Sequence, residues 1–521
     1  MRPRRALLGP SDKSGLLELA RALHRAGVEL IATGGTHQVL TGAGLAVTPV
    51  ATVTGVPEFL GGRVKTLHPA IHGGILSRRG HPEDEAEMRA LGLAPIDLVC
   101  VNLYPFAATV AAGADAAAVI EAIDIGGPTL LRAAAKNHAH VAALSHPRQY
   151  PLVIEALAEG GELPPSLLRQ LAAAAFAHTA AYDAAVAAVL SAPGPPQAGA
   201  DPAEAWPGDW AVGGPRISGL RYGENPHQAG ALYRLGPVAG GVAAAAQVQG
   251  PPLSFTNWLD SDAAFGAVRE WPEPLAAVVK HTTPCGMAAG ADLAAAIRAA
   301  RDCDPRSAYG GIVGVNRPLD APAARALAES FLHAVVAPGV TPDALPILAE
   351  RPGLRVLVVP PPGPEAAAAA ALDVRAVDGG LLVQTADRGL DDPQTWTIAS
   401  RRRPTEAEWV ALQLAWFAVR PVRSNAIVLV RDGAAVGIGA GQMSRVEAVE
   451  LAVQRAGDRA RGSVLASDAF FPMPDGLEVA VRAGVTAAIH PGGSKADAAV
   501  LAAADAAGVA LVLTGRRHFR H

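Results

Sequence analysis

Residues 6–26 read ALLGPSDKSGLLELARALHRA, and this stretch sets the architecture of the first part of the chain. Ala6 to Leu8 is a short apolar strand, and Gly9 to Gly15 is a turn of small and hydroxyl residues. Leu16 to Ala26 then carries apolar side chains at helical spacing. The same cadence recurs outward. Glu29 to Thr33, Leu98 to Val101 and Val141 to Leu144 read as strands, while Gln38 to Ala43, Ala116 to Ile123 and Pro151 to Ala158 read as helices. Alternation of this kind predicts an α/β domain built on a parallel sheet covered on both faces.

With 521 residues the chain is too long for a single core, and two or three domains are expected. Residues 1–190 form the first domain. Residues 191–212, rich in proline and glycine, read as a linker, and 213–521 form a second region. Four prolines and an alanine run near 359–372 mark a joint between two subdomains there. A net charge of −4 speaks against nucleic acid as a partner. Cys100, Cys285 and Cys303 cannot all pair and lack zinc-ligand spacing, which points to a reducing cytoplasm and to no catalytic metal. Neither a signal peptide nor a membrane span is read. Arg2, Arg4 and Arg5 are followed by a short apolar run that Gly9 ends, and the longest apolar stretches, such as Leu171 to Ala177, are alanine-rich and stop at His178.

Two turns behind strands are suited to anions. Ser11 and Lys13 lie in the first. In the second, Thr33, Gly34, Gly35 and Thr36 open a helix whose free N–H groups and dipole favour phosphate. Lys13 and Arg63 add positive charge to that site. Lys65, Tyr104, Asp124 and Lys136 supply groups able to move protons around a phosphorylated ligand, since strand ends of a parallel sheet are where ligands bind. Taken alone, Lys136 reads as a solvated helix lysine and Tyr104 as a half-buried core residue. In the second region, Leu275 to Val279 is a buried-strand run that stops at Lys280 and His281. Pro284 turns the chain at Thr283, which lets the two neighbouring side chains serve one pocket.

The motifs SDKSG, GGRVKTLHP, VNLYPF, IDIGG, LRAAAKNH, LRYGENPHQ, VKHTTPCG, SNAIV, GIGAGQMSR, SDAFFP and RRHFRH occur in this order over nearly the whole chain. In them the sequence resembles the bifunctional purine-biosynthesis enzymes that join aminoimidazole carboxamide ribonucleotide (AICAR) transformylase to inosine monophosphate (IMP) cyclohydrolase. The resemblance implies a methylglyoxal-synthase-like N-terminal domain and a transformylase region of two cytidine-deaminase-like subdomains. It implies formyl transfer from 10-formyltetrahydrofolate to AICAR, then closure of formyl-AICAR to IMP. Lys65, Tyr104, Asp124 and Lys136 match the cyclohydrolase positions, while Ser11, Lys13, Thr33, Gly34, Gly35, Thr36, Arg63 and Thr66 would hold its substrate. Lys280, His281 and Asn425 match the transformylase positions, Asn425 as a donor to the formyl oxygen or the substrate. Arg221, Tyr222 and Arg517 match nucleotide contacts, and Phe470, Phe471 and Pro472 border the folate and nucleotide pocket. Relatives are homodimers with shared transformylase sites, and the resemblance leaves room for a monovalent cation.

Two departures stand out. The family opens its first phosphate turn with serine-valine-serine, whereas this chain has Gly9, Pro10 and Ser11, removing a hydroxyl and an N–H. His333 stands where relatives usually carry an acid. Gly9 and Pro10 motivate one rival reading, a transformylase with an impaired cyclohydrolase half. A second rival, a non-catalytic purine-nucleotide sensor, would need the anion contacts but no paired acid/base groups.

Overall fold

The computed structural model describes residues 1–191, 206–235, 240–361 and 372–521. Most of the expected linker (191–212) and of the joint near 359–372 lies outside the described residues. Backbone contacts divide the chain into two units, Met1–Arg216 with Tyr233–Ala239, and Ile217–Leu232 with Gly240–His521.

The first unit holds strands β1 (Arg5–Leu8), β2 (Glu29–Ala32), β3 (Val47–Pro49), β4 (Leu98–Cys100) and β5 (Ala142–Leu144). They form one all-parallel sheet in the order β3-β2-β1-β4-β5. Successive residues Leu7 and Leu8 are both buried, each in a different apolar cluster, because helices cover both faces. The order reverses between β1 and β4, which opens a crevice beyond their carboxyl ends. The second helix starts at Gly34, four residues before the expected Gln38, because the extended backbone of Thr33 ends the strand directly at a helix cap. Helix Pro165–Leu190 also departs from expectation. His178 does not interrupt it, and the helix is long and apolar enough to cross a membrane by length and composition alone. Only 17% of its apolar window is buried. It packs on helix Gly126–Lys136 and leaves an alanine-rich face uncovered.

The second unit begins with a hairpin of β6 (Arg216–Leu220) and β7 (Gly230–Tyr233). Its main sheet has twelve strands. One half holds β8 (Ala246–Gln249), β9 (Leu275–Lys280), β10 (Thr283–Ala289), β11 (Ile312–Val315), β12 (Ala334–Ala337) and β13 (Arg355–Val358). A separate hairpin follows, β14 (Leu372–Val377) with β15 (Gly380–Thr385). The other half holds β16 (Thr397–Ile398), β17 (Ile427–Arg431), β18 (Ala434–Gly439), β19 (Val464–Ser467), β20 (Ala487–His490) and β21 (Ala510–Leu513).

Reading outward from the centre, the halves run β10-β9-β11-β12-β13-β8 and β18-β17-β19-β20-β21-β16. Parallel and antiparallel pairings match position by position, so the region is an internal duplication joined where Ala288 meets Ala434.

Pro284 does not turn the chain. The reversal comes earlier, at His281 and Thr282, and Pro284 lies buried inside β10 beside a bulge that skips Cys285. A bulge is where a strand tolerates a residue with no N–H to donate. Next to it, a Cβ on Gly286 would lie 1.8 Å from the carbonyl oxygen of Ala300, so the helix seats on the strand only because residue 286 has no side chain. Gly286→Val is therefore expected to destabilise this unit by about 3 kcal/mol. A thermal melt at the wild-type midpoint would contradict the packing described.

Candidate active sites

The twelve-stranded sheet gathers one site along a single edge. β9, β18, β19, β20 and β21 run towards that edge, and β11, β12 and β17 start from it. The ends of the first group and the beginnings of the second thus meet. This topology brings Lys280 and His281, Gly310, His333, Asn425, Gln442, Asp468 and the C-terminal tail to one rim.

His281 and Thr282 form the two-residue connection between β9 and β10, with φ of 52° and 61°. Positive φ at both central residues is the turn that matches strand twist, and it normally demands Asn-Gly or Asp-Gly. The duplicated hairpin uses that solution, with Asp432 and Gly433 at φ of 53° and 75° between β17 and β18. A β-branched residue such as Thr282 is a genuine outlier there. Its surroundings hold it. The Asp260 carboxylate accepts the Thr282 N–H at 2.6 Å, and the Arg423 guanidinium donates to the Thr282 hydroxyl at 3.0 Å. Burial pushes the Asp260 carboxyl up, against the N–H groups of Thr282 and His281. Lys280 Nζ donates to the Tyr309 carbonyl at 2.8 Å. A Cβ on Gly310 would sit 3.4 Å from Lys280 Nζ and 3.6 Å from the His333 ring, so these two flank one gap. Burial, then Arg355 and Lys280, lowers the His333 imidazole, with Asp260 opposing.

Arg423 leads directly to Asn425. Both donors of the Asn425 amide are engaged, by the carbonyls of Gln442 at 2.8 Å and Met443 at 3.2 Å. This corrects its expected role: with the NH2 group tied to the segment between β18 and the helix that starts at Arg445, neither amide hydrogen is free, and Asn425 offers an acceptor, its carbonyl oxygen having no hydrogen-bond partner among the described residues. Behind it, Asp468 is fully buried and takes bonds from Ser424, Arg445 and the Ala426 N–H. The carbonyl of Asp468 holds the His518 N–H at 3.0 Å, and Ser424 pairs with the Arg520 backbone. His518 is itself clamped, one ring nitrogen towards Asp387 and the other 2.8 Å from Asp391, against the Trp416 indole. Arg517 projects from this anchored tail, exposed over the Phe519 ring.

Three other residues expected at this rim behave differently. Phe471 is completely buried and packs edge-on against His490, so it belongs to the core; Phe470 and Pro472 remain exposed. Arg221 stacks on Tyr222 in a loop whose hydrogen bonds are internal. Among the described residues, none joins this pair to the rim.

In the first unit the crevice between β1 and β4 holds the other constellation. A Cβ on Gly9 would touch the Thr33 hydroxyl at 3.6 Å, so the two anion turns are adjacent. The N–H groups of Gly34 and Gly35 open their helix without intrahelical acceptors. The Gly9 N–H already donates to the Cys100 carbonyl, so that group is not free for a ligand. Asp124, nearly buried, accepts the N–H of Gly127 at 2.8 Å and of Tyr104 at 3.4 Å. Burial pushes its carboxyl up despite both bonds. A value moved towards neutrality suits a general base. Thr66, also buried, lies 3.4 Å from the Cβ position of Gly126, which sets the Lys65 segment against the same turn.

Four expectations need correction here. Lys136 ends the helix that Gly126 begins, about 15 Å along the axis from the Asp124 turn, and is exposed. That distance exceeds the reach of a lysine, so Lys136 does not meet Asp124 within this chain. Arg63 is paired with Glu121, and Lys65 with Glu58 at 3.3 Å, rather than standing free for phosphate. Such exposed pairs are weak, about 0–1 kcal/mol, and yield readily to a phosphate. Thr36 is 4% exposed and contributes packing inside its helix, not a surface hydroxyl.

Sequence reasoning passed over Asp260, Asp468 and His518, although Asp468 and His518 lie inside quoted motifs. Their partners are far away along the chain, and no local pattern announces them. Among the described residues no group of three His, Cys, Asp or Glu side chains is arranged to hold a metal ion. Burial pushes the Cys285 and Cys303 thiols up to about 12.

Comparison with known proteins bears on both sites. A family model described as the AICARFT/IMPCHase bienzyme matches residues 134–455, and one described as the MGS-like domain matches residues 15–129. The bifunctional purine biosynthesis protein PurH of Sorangium cellulosum is 52% identical over 99% of this chain and 100% of its own length. Its namesake from Myxococcus xanthus is 50% identical over the same shares. That from Cyanothece sp. is 48% identical, covering all of both chains. A solved structure titled "Crystal structure of ForH" aligns with 36% of this chain and 96% of its own, at 42% identity and a TM-score of 0.32.

The Asp124 turn yields a sharp test. A Cβ on Gly127 would lie 2.5 Å from an Asp124 carboxylate oxygen and 2.8 Å from Leu103. Gly127→Ala must therefore displace the carboxylate. It is expected to lower the cyclisation step by about 10²-fold while formyl transfer by the same preparation is unchanged. Wild-type cyclisation in Gly127→Ala would show that Asp124 is not needed where it stands.

Proposed function

This chain belongs to the AICARFT/IMPCHase bienzyme family, and from that premise we propose how its two units divide the chemistry. The protein is a bifunctional enzyme of purine biosynthesis, transferring a formyl group to AICAR and closing the product to IMP. Formyl transfer occurs at the rim of the twelve-stranded sheet. The AICAR 5-amino group is a weak nucleophile, because its lone pair is delocalised into the ring and carboxamide. His281 takes its proton as it attacks the formyl carbon of 10-formyltetrahydrofolate, and Lys280 stabilises the tetrahedral oxyanion. Asn425 accepts a hydrogen bond from the substrate through its carbonyl oxygen. Arg221 and Tyr222 bind the nucleotide, Arg517 its phosphate, and Phe470 and Pro472 border the folate.

Cyclisation occurs in the crevice of the parallel sheet. The carboxamide nitrogen of formyl-AICAR attacks the formyl carbon on the same ring, and water leaves. Because both groups are already attached, effective molarity supplies much of the rate. Asp124 receives the carboxamide proton, and Lys65 stabilises the oxyanion beside Tyr104. Ser11, Lys13, Thr33, Gly34 and Gly35 hold the ribose phosphate, with Arg63 released from Glu121. Lys136 acts from outside this cluster. The enzyme works in the cytoplasm as a homodimer, and the uncovered face of helix Pro165–Leu190 favours the pairing. A monovalent cation remains compatible with it.

The observation that carries the division is topological: one sheet edge collects Lys280, His281 and Asn425 from both duplicated halves. Supplying AICAR and 10-formyltetrahydrofolate tests it, with equal formation of tetrahydrofolate and IMP expected. Tetrahydrofolate without IMP would instead mean that Gly9 and Pro10 have silenced the first unit. The raised Asp124 carboxyl gives a pH signature. Ionised Asp124 is the active form, so kcat/KM for cyclisation falls with acid at a pH above that of an ordinary carboxylate. An acid limb at the ordinary value, near pH 4, would contradict the role. His333 makes a second prediction for formyl transfer. His333→Glu should shift the Michaelis constants and flatten their change on the acid side of about pH 6.5, where a lowered imidazole takes up its proton, whereas constants unchanged there would remove His333 from the site.

A further inference from the structure

β21 ends at Leu513, and residues 514–521 beyond it form neither strand nor helix. An arginine on an irregular segment loses much freedom on binding an anion, unless the segment is already fixed. Here it is fixed. The His518 N–H donates to the Asp468 carbonyl at 3.0 Å, and the Ser424 N–H donates to the Arg520 carbonyl at 2.9 Å. The Arg375 guanidinium holds the His521 carbonyl at 2.8 Å. Burial alternates along the segment: His518 is 3% exposed, while Arg517 and Phe519 are exposed on either side of it. The inward imidazole thus turns both neighbours out, with the Arg517 guanidinium 4.4 Å from the centre of the Phe519 ring.

The imidazole is gripped at both nitrogens. Nδ1 faces Asp387, and Nε2 lies 2.8 Å from Asp391. A ring carrying hydrogen on both nitrogens donates to both carboxylates at once. A side-chain amide, with its donors on one atom and an acceptor beside it, can serve only one of them. The carboxylates are held in turn. The Trp416 indole donates to the same Asp391 oxygen at 2.8 Å, its ring packed against the imidazole. The Arg516 guanidinium bridges the other two oxygens, at 3.0 Å from Asp391 and 3.4 Å from Asp387. Arg516 is thereby occupied. Arg517 makes no ion pair among the described residues, which leaves its charge for a ligand.

We propose that His518 is a positioning residue for formyl transfer, its ring bridging Asp387 and Asp391 so that Arg517 meets the AICAR phosphate. This rests on the reading of Arg517 as the phosphate contact. His518 faces away from the substrate, so its loss should weaken AICAR binding and leave the chemical step intact.

His518→Gln keeps one donor and loses the bridge. KM for AICAR in formyl transfer is expected to rise about tenfold, with kcat and KM for 10-formyltetrahydrofolate within about twofold of wild type. Arg517→Ala should raise the same KM. Adding His518→Gln to it should raise KM no further, because one residue acts through the other. A double variant showing the product of the two single effects would overturn the positioning role. So would a rise in Arg517→Ala with none in His518→Gln, although the phosphate reading would survive. If Arg517→Ala leaves KM unchanged, the phosphate reading falls and takes the proposal with it. Should His518→Gln fail to fold, Asp387→Ala breaks the bridge from its more exposed side and is judged by the same outcomes.

Discussion

A two-residue reversal shapes the rim of the twelve-stranded sheet, the place proposed for formyl transfer. His281 and Thr282 occupy left-handed backbone that the duplicated hairpin assigns to Asp432 and Gly433. Each non-glycine residue held there costs about 1–3 kcal/mol, a strain that persists only when the surroundings over-determine it. Asp260 and Arg423 supply that determination. With the turn fixed, Lys280 ends its strand under the Tyr309 carbonyl, and the imidazole stands at the rim beyond the last strand pair. The same Arg423 bond links the turn to the segment bearing Asn425. The duplication thus brings residues of both halves to one rim, with His281 and Thr282 in one hairpin where the other has Asp432 and Gly433.

The buried Asp468–Arg445 pair does comparable work from behind. Buried pairs add little net stability, yet removing one partner costs about 3–5 kcal/mol, because the other charge is stranded. Here the pair orders Ser424, Ala426 and the His518 tail at once. In the first unit backbone groups carry the load instead. The crevice between β1 and β4 is shaped by Asn102 gripping Asp12, and by Gly127 leaving room for the Asp124 carboxylate. The two sites therefore rely on separate supports.

Much of this was legible in the sequence where the signal is local. Short apolar strands, small-residue turns and helical periodicity define the parallel sheet, and the run Leu275–Val279 is a core strand. Misreadings arose where tertiary context decides. Pro284 looked like a breaker, but a bulge accommodates it inside β10. Lys136 is close to Asp124 in sequence, yet a full helix separates them. Phe471 lies between two exposed residues while pointing into the core, and the Asn425 donors are taken by a loop that no spacing rule connects to it. Asp260, Asp468 and His518 act through long-range bonds, which a single sequence does not display.

The central claim is that His281, held by this strained turn, takes the proton from the AICAR amine. Single-turnover formyl transfer by His281→Ala tests it most directly, with cyclisation by the same preparation as the internal control. The account predicts formyl transfer slowed by about 10²–10⁴-fold with cyclisation intact. Transfer at the wild-type rate would contradict it.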